Sequence, residues 1–136
     1  MKKLILLLIL TYSQYTFAQN QTYSCMETVS LTGKLSFETT SDPRYDEYVP
    51  VKFPAINLSN PINVVNRNNA NDFCDDKYEN IKLLQLGLRE QDYALLKKNI
   101  GKTAQIKCEL NPSETAHHHT NPWCHANHDN QLKIIR

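Results

Sequence analysis

The feature that most constrains the fold is a strict two-residue alternation of apolar and polar side chains in two separate segments. Residues 27–38 place their apolar side chains on one face, and residues 102–110 repeat the pattern. Successive side chains of a β-strand point to opposite faces of a sheet, so each segment predicts a half-buried strand. Gly33 lies on the apolar face of the first strand, where it would allow a sharp bend or the close approach of another backbone. We therefore expect a mainly β protein.

Three further segments carry weaker strand signals. A second strand is predicted from Tyr48, and its prolines, which donate no hydrogen bond to a sheet, predict an edge strand or a break at Pro54. The apolar pattern changes phase beyond that proline, which indicates a bulge or a fresh strand. A third strand is predicted at residues 81–88, and a last one at residues 123–135 with an interruption at residues 128–130.

One segment has helical periodicity instead. Between residues 89 and 100 the apolar side chains of Tyr93, Leu96 and Ile100 recur at steps of three and four residues. Acidic residues lie in the first turn and two lysines in the last turn, which suits the helix dipole. We expect an amphipathic helix here, with Gly101 as its C-terminal cap.

The predicted order of elements is three strands, one helix and two strands. A bent first strand and a helix between strands 3 and 4 are typical of a small five-stranded OB-like barrel. The alternative is an α+β fold in which an open antiparallel sheet carries one packed helix.

The N-terminus has the layout of a secretory signal peptide. Two lysines precede an unbroken apolar run at residues 4–10, and Ala18 ends a short segment suited to cleavage. The run is much shorter than the roughly 20 residues that a membrane span needs, which argues against a permanent anchor. A lipoprotein modified at Cys25 is a second, weaker alternative, because no aliphatic residue precedes that cysteine where lipidation requires one.

These observations predict a signal peptide at residues 1–18 and a single domain at residues 19–136, periplasmic or secreted and with no membrane span in the mature chain. Loss of two lysines with the signal peptide would leave 13 of the 15 basic residues against 14 acidic ones. A near-neutral chain without a basic run argues against nucleic acid as a partner. An unknown protein or a small ligand remains the expected partner.

All four cysteines lie in the predicted mature chain, at positions 25, 74, 108 and 124. An even number of cysteines in an exported protein favours two disulfides. Four cysteines allow three pairings, and the sequence alone does not choose among them. We favour Cys108 with Cys124, since these lie on strands predicted to pair, which leaves Cys25 with Cys74.

Several of these features together resemble an exported bacterial family known as domain of unknown function 4431. They are the L-x-G-x-L pattern of residues 31–35, the Ile-Gly-Lys step at residues 100–102 and the Ala-His-His-His-Thr run at residues 116–120. The chain departs from the family at residues 121–125, where aliphatic residues would be expected. The resemblance extends over the mature chain and implies export and one small domain, but it implies no activity.

The histidine-rich segment is the candidate site. All five histidines fall between residues 117 and 128, together with a tryptophan and a cysteine. The candidate binding loop comprises His117, His118, His119, Thr120 and Trp123. In the alternative to binding, the loop only hydrogen-bonds to the barrel rim.

Imidazole and thiolate groups at this density also suit a zinc or copper ion. The candidate metal ligands are His118, His119, His125 and His128. Adjacent residues of a strand point to opposite faces, however, so three consecutive histidines cannot all reach one ion from a strand. Cys124 would be no ligand if it formed a disulfide.

Catalysis and recognition are the remaining function classes. The sequence has no nucleophilic serine elbow, no glycine-rich phosphate loop and no HExxH motif. We therefore expect a non-catalytic protein, with a small secreted enzyme as a further alternative. If Tyr45, Tyr48, Tyr78 and Trp123 lie near the histidines, they would form an aromatic surface that could stack on a sugar, a peptide or a partner protein.

Overall fold

The computed structural model describes residues 19–136, and the predicted signal peptide lies outside the described residues. Within these described residues, seven strands, one α-helix and a short 3-10 turn follow one another. They are β1 (Gln21–Ser24), β2 (Thr28–Ser41), β3 (Pro50–Val65), the 3-10 turn (Arg67–Asn69), β4 (Lys77–Gly87), α1 (Glu90–Lys98), β5 (Thr103–Asn111), β6 (Trp123–His125) and β7 (Leu132–Ile134).

Five of these strands close into a ring. Antiparallel β2 pairs with both β3 and β5, β3 pairs with β4, and β6 joins β4 to β5. The ring is not evenly arranged round an axis, because β6 is only three residues long and meets β4 at two positions. The helix α1 connects the third and fourth strands of the ring, as predicted for an OB-like barrel.

Two short strands extend the ring. β1 lies parallel to the end of β3, and β7 pairs with the start of β5 on the edge that β6 also uses. β6 and β7 are therefore two parts of the last predicted strand, separated at the interruption that the sequence indicated. No helix in residues 19–136 is long and apolar enough to cross a membrane.

The core lies inside the ring and is built from the alternating faces of the strands. Leu35, Ile56 and Leu84 form one row across β2, β3 and β4, and each is at most 1% exposed. Gly33 confirms the prediction of a close backbone approach, since a Cβ atom there would lie 2.2 Å from the carbonyl oxygen of Asn57. The missing side chain thus lets β2 and β3 cross closely at this point.

The second strand differs from the prediction of an edge strand broken at a proline. β3 is the longest strand, and it pairs on both sides. Pro54 lies just outside the segment that β3 shares with β4, and Pro61 lies in the register shift between Asn57 and Ile62. Neither proline interrupts a stretch paired on both sides, so the strand continues through both. The bulge predicted just beyond Pro54 is not found there, because the register with β2 is regular from Pro50 to Leu58. β3 shifts register only between Asn57 and Val64, in its pairing with β4.

The helix is shorter than predicted and buries a different face. Its C-terminal cap is Asn99, while Gly101 lies in the following turn with a φ of +83°. Leu96 is fully buried, whereas Tyr93 and Ile100 are 38% and 45% exposed. Asp92 is buried because its carboxylate accepts a hydrogen bond from the backbone N–H of Gln131. The buried face of the helix therefore runs through Asp92 and Leu96 and leaves Tyr93 and Ile100 partly exposed.

Two disulfides tie the ring together. Cys25 pairs with Cys74 and Cys108 pairs with Cys124, which are the favoured pairs. Cys124 lies opposite Leu110 of β5, two residues from Cys108, so the second bridge crosses the β5–β6 ladder diagonally on its core side. The first bridge fastens the segment before β2 to the loop between β3 and β4.

Candidate functional site

The outer face of β2, β3 and β4 carries three rows of side chains that point away from the core. Residues that lie opposite one another in an antiparallel pair share a face, and the rows alternate with the core rows. The rows are Glu38 and Phe53; Ser36, Ala55 and Gln85; and Lys34, Asn57 and Leu83. Asn57 donates a hydrogen bond to Ser36, whose hydroxyl donates to Glu38. A polar ladder therefore runs beside an aromatic side chain.

The segment between β5 and β6, residues 112–122, folds back over this face, and we call it the His loop. Gln85 of β4 holds it in place. Its side-chain amide donates to the backbone carbonyl of His117 and accepts from the backbone N–H of His119, and its own backbone N–H donates to the Thr120 hydroxyl. Three hydrogen bonds from one residue thus fix the middle of the loop on the sheet.

Trp123 is the centre of an aromatic stack at one end of the His loop. The ring of His118 stacks on its indole at 4.2 Å between centroids, and the ring of His125 lies 4.8 Å from it. The indole N–H donates to the carbonyl oxygen of Pro112, where the loop begins. Trp123 therefore connects β6 to both the start and the middle of the loop.

Gly87 makes room for this stack, because a Cβ atom at that position would lie 2.4 Å from Cζ3 of Trp123. We expect Gly87→Ala to displace the indole and to lower the free energy of unfolding by about 2 kcal/mol, as overpacking does. The check is the emission spectrum of Trp123, the only tryptophan in the chain. Gly101→Ala is the control, since its Cβ would meet no atom within 4 Å. An unchanged spectrum in Gly87→Ala would contradict the packing described here.

A second aromatic pair fixes the next residue of the His loop on the sheet. The ring of His119 stacks on Phe53 of β3 with centroids 5.0 Å apart. Phe53 and Ala55 belong to the outward rows, yet they are only 5% and 0% exposed. The His loop accounts for this burial, because it is bound to Gln85, which lies opposite Ala55. The loop therefore covers the middle of the outer face and leaves its margins free.

The β2–β3 loop, residues 42–49, borders the same face. Arg44 donates both backbone and side-chain hydrogen bonds to the carboxylate of Asp42, and these contacts hold the pKa of Asp42 at about 2. The charge of His117 also helps to lower the pKa of Asp42, and that of Asp42 acts to raise the pKa of His119, so the β2–β3 loop and the His loop lie within electrostatic range of each other. Tyr45 and Tyr48 follow this hydrogen-bonded turn in the same loop, and they are 56% and 69% exposed.

Burial sets the protonation of the two central histidines. Partial removal from water lowers the pKa of His118 and of His119 below the ordinary value for histidine, because the charged form loses hydration. At neutral pH both imidazoles are accordingly neutral, and they act as flat, weakly polar rings in the stacks.

The predicted metal ligands do not converge. His118 and His125 pack on Trp123, His119 packs on Phe53, and His128 lies with His125 at a surface cleft of about 310 Å³ beside β5. The four cysteines are bound in disulfides. Within residues 19–136, no three histidine, cysteine, aspartate or glutamate side chains are placed so that they could hold a metal ion.

The predicted aromatic surface is assembled only in part. Trp123 and the two loop tyrosines lie around the outer face, but Tyr78 does not. It is 8% exposed, belongs to the core and accepts a hydrogen bond from the backbone N–H of Asp75 near the first disulfide. Sequence reasoning missed Gln85 and Phe53, the two residues that hold the His loop in place.

Residues 83–121 match the family model described as Domain of unknown function (DUF4431). The matched segment runs from β4 through α1 and β5 into the His loop, which confirms the resemblance there, but it does not reach the L-x-G-x-L pattern of β2. No curated protein and no solved structure shows significant similarity to the chain. The description of the family names no activity, so any function has to be argued from the site itself.

Proposed function

We propose that this protein is a non-catalytic binding module that acts outside the cytoplasm, in the periplasm or after secretion. Its ligand lies on the outer face of β2–β4, in contact with the β2–β3 loop and the His loop. Small barrels of this type bind ligands on the corresponding strands and loops. Two disulfides suit an oxidising compartment.

The observation that carries the proposal is that two solvent-exposed tyrosine side chains accompany aromatic stacks that are already fixed in place. Tyr45 and Tyr48 are exposed in the loop that leads into β3, the strand whose Phe53 is stacked with His119. Exposed aromatic side chains offer large contact area with little conformational entropy to lose, and they stack on sugar rings and on apolar peptide side chains. The Asn57–Ser36–Glu38 ladder supplies hydrogen bonds farther along β2 and β3 on the same face.

The ligand class that fits is a flat, uncharged molecule with hydroxyl or amide groups. Asp42 and Arg44 are paired with each other, whereas Asp46 and Glu47 lie between the two tyrosines and would repel an anionic ligand. The ladder offers neutral donors and acceptors together with a single carboxylate. A sugar ring or a short peptide with an apolar side chain satisfies both the stacking surface and the ladder.

We expect at least one of three probes, chitotriose, maltotriose and the tripeptide Gly-Tyr-Gly, to shift the NMR resonances of residues 42–49 and 117–123. The variant Tyr45→Ala with Tyr48→Ala should weaken this binding about tenfold, the loss of about 1.4 kcal/mol expected for a contact that carries binding energy. Phe73→Ala is the matched control, since Phe73 is 73% exposed but lies in the loop between β3 and β4.

Shifts confined to other parts of the protein, an equal loss in the Phe73→Ala control, or no shifts with any of the three probes would each contradict the proposal. Zinc chloride titrated into the same sample tests the metal alternative. That alternative requires converging ligands, which the described residues do not provide.

A further inference from the structure

The imidazole of His118 has a hydrogen-bonding role that depends on its protonation state. Its Nδ1 atom accepts a hydrogen bond of 3.1 Å from the backbone N–H of Glu114. A ring nitrogen can accept only when it carries no proton, so this contact requires a neutral imidazole with its proton on Nε2. Protonation would place two N–H groups against each other.

His118 also occupies the position where the contacts of the His loop meet. Its backbone N–H donates to the carbonyl oxygen of Thr115, and its own carbonyl oxygen accepts from the Ser113 hydroxyl. The residues on either side of it are the two whose backbones bind Gln85. A displacement of His118 would therefore disturb the turn at residues 113–118 and the attachment of the loop to β4 together.

We propose that His118 is an acid-sensitive latch that holds the His loop on the outer face of the barrel only while its imidazole is neutral. Loop release would uncover Phe53 and Ala55, which the closed loop buries. The consequence that acid changes ligand access rests on the proposed function, whereas the latch itself rests on the contacts of the loop alone.

The groups around His118 oppose its protonation on balance. Burial is the largest cause that lowers its pKa, and the positive forms of His117, His119 and His125 lower it further, against the attraction of Glu114. Asp42 acts on the neighbouring His119. An imidazolium over the Trp123 indole would gain a cation–π attraction, but it would lose the accepted hydrogen bond and part of its hydration.

The direction of the pH effect follows from this lowered pKa. Above the ordinary histidine pKa of about 6.5, His118 is neutral whether the loop is closed or open, and protonation does not oppose closure. Below that value the open loop binds the proton better. The ratio of closed to open loop should then fall by up to about tenfold for each pH unit, until the pH reaches the lower pKa of the closed state.

The experiment follows the oxidised protein from pH 8 to pH 4.5. At pH 8 the ¹⁵N shifts of His118 should show an unprotonated Nδ1. On acidification, Trp123 emission and the protection factor of the His119 amide, which binds Gln85 in the closed loop, should change together with a midpoint below about 6.5. The protection factor is used because the intrinsic rate of amide exchange itself falls as the pH is lowered. His118→Asn and His118→Phe, which cannot take up a proton, should remove most of the pH dependence and leave only the contribution of His119, whose pKa burial also lowers. His117→Asn should retain the pH dependence, because the His117 side chain is exposed.

Three outcomes would overturn the latch: a proton on Nδ1 at pH 8, a Trp123 change without a loss of protection at the His119 amide, or a transition of undiminished size in both His118 variants. The Asn variant keeps a hydrogen-bond acceptor near the Nδ1 position but loses the stacked ring, and the Phe variant keeps the ring but loses the acceptor. If both variants lose most of the pH dependence, the cause is therefore the missing proton site that they share and not the loss of one contact. No ligand is present, so failure here leaves the proposed binding face untouched, and failure of the binding test leaves the latch untouched.

Discussion

Gly33→Ala is expected to lower the free energy of unfolding by about 3 kcal/mol, the upper end of the usual cost of overpacking. The added methyl group would lie 2.2 Å from the carbonyl oxygen of Asn57 and 2.8 Å from the side chain of Ile56. The oxygen belongs to the backbone of a strand paired on both sides, so it cannot move aside as a flexible side chain would. Urea unfolding followed by circular dichroism measures the change.

Gly101→Ala is the matched control for this substitution. Gly101 has a φ of +83° and open space around its missing side chain. Its replacement therefore incurs only the conformational penalty of a left-handed residue, about 1 kcal/mol. Equal losses at Gly33 and Gly101 would contradict a close crossing of β2 and β3.

The architecture was largely predictable because local periodicity and strand order agree. The alternation in β2 and β5 indicates two strands with one buried face, and Gly33 marks a close approach of β2 to the backbone of β3. One helix between the third and fourth strands then leaves few topologies for a chain of this length. The disulfide between β5 and β6 follows from the same strand pairing, since it needs the two cysteines on one face of adjacent strands.

The errors arose where tertiary contacts override a local signal. Proline disfavours strand interiors, yet Pro54 and Pro61 fall where β3 lacks a partner on one side or changes register. The positions where β3 lacks a partner depend on where the neighbouring strands begin and end, and the sequence of β3 alone does not determine this. In α1, the hydrogen bond between Asp92 and Gln131 joins residues far apart in the chain, and no periodicity rule anticipates a buried acid.

The site was located by its histidines, but its construction was not predictable from them. Gln85 lies in the apolar run of β4, where its sequence position indicates only an ordinary outward-facing residue. Nothing near it in the sequence indicates that its amide nitrogen and its amide oxygen both bind the His loop. The one available signal is Gly87, a glycine inside a strand, which often marks the close approach of another group. That group is the indole of Trp123.

Removal of either disulfide is the second large effect that we expect. In the chain-entropy estimate, the double replacement of Cys25 and Cys74 by alanine should cost about 4 kcal/mol for a separation of 49 residues. The same replacement of Cys108 and Cys124 should cost about 3 kcal/mol for a separation of 16 residues. Either loss is a large part of the 5–15 kcal/mol that typically stabilises a domain.

The two double variants should differ in where the loss appears. Cys124 is adjacent to Trp123 and, like Cys108, is almost fully buried, so removal of this pair leaves a cavity beneath β6. We expect altered Trp123 emission and faster hydrogen exchange in the His loop for that variant. The Cys25 and Cys74 variant should instead loosen residues 66–76 and leave the emission of the folded protein unchanged. If both variants showed the same emission change, the His loop would depend on overall stability, and β6 would have no special role in holding it.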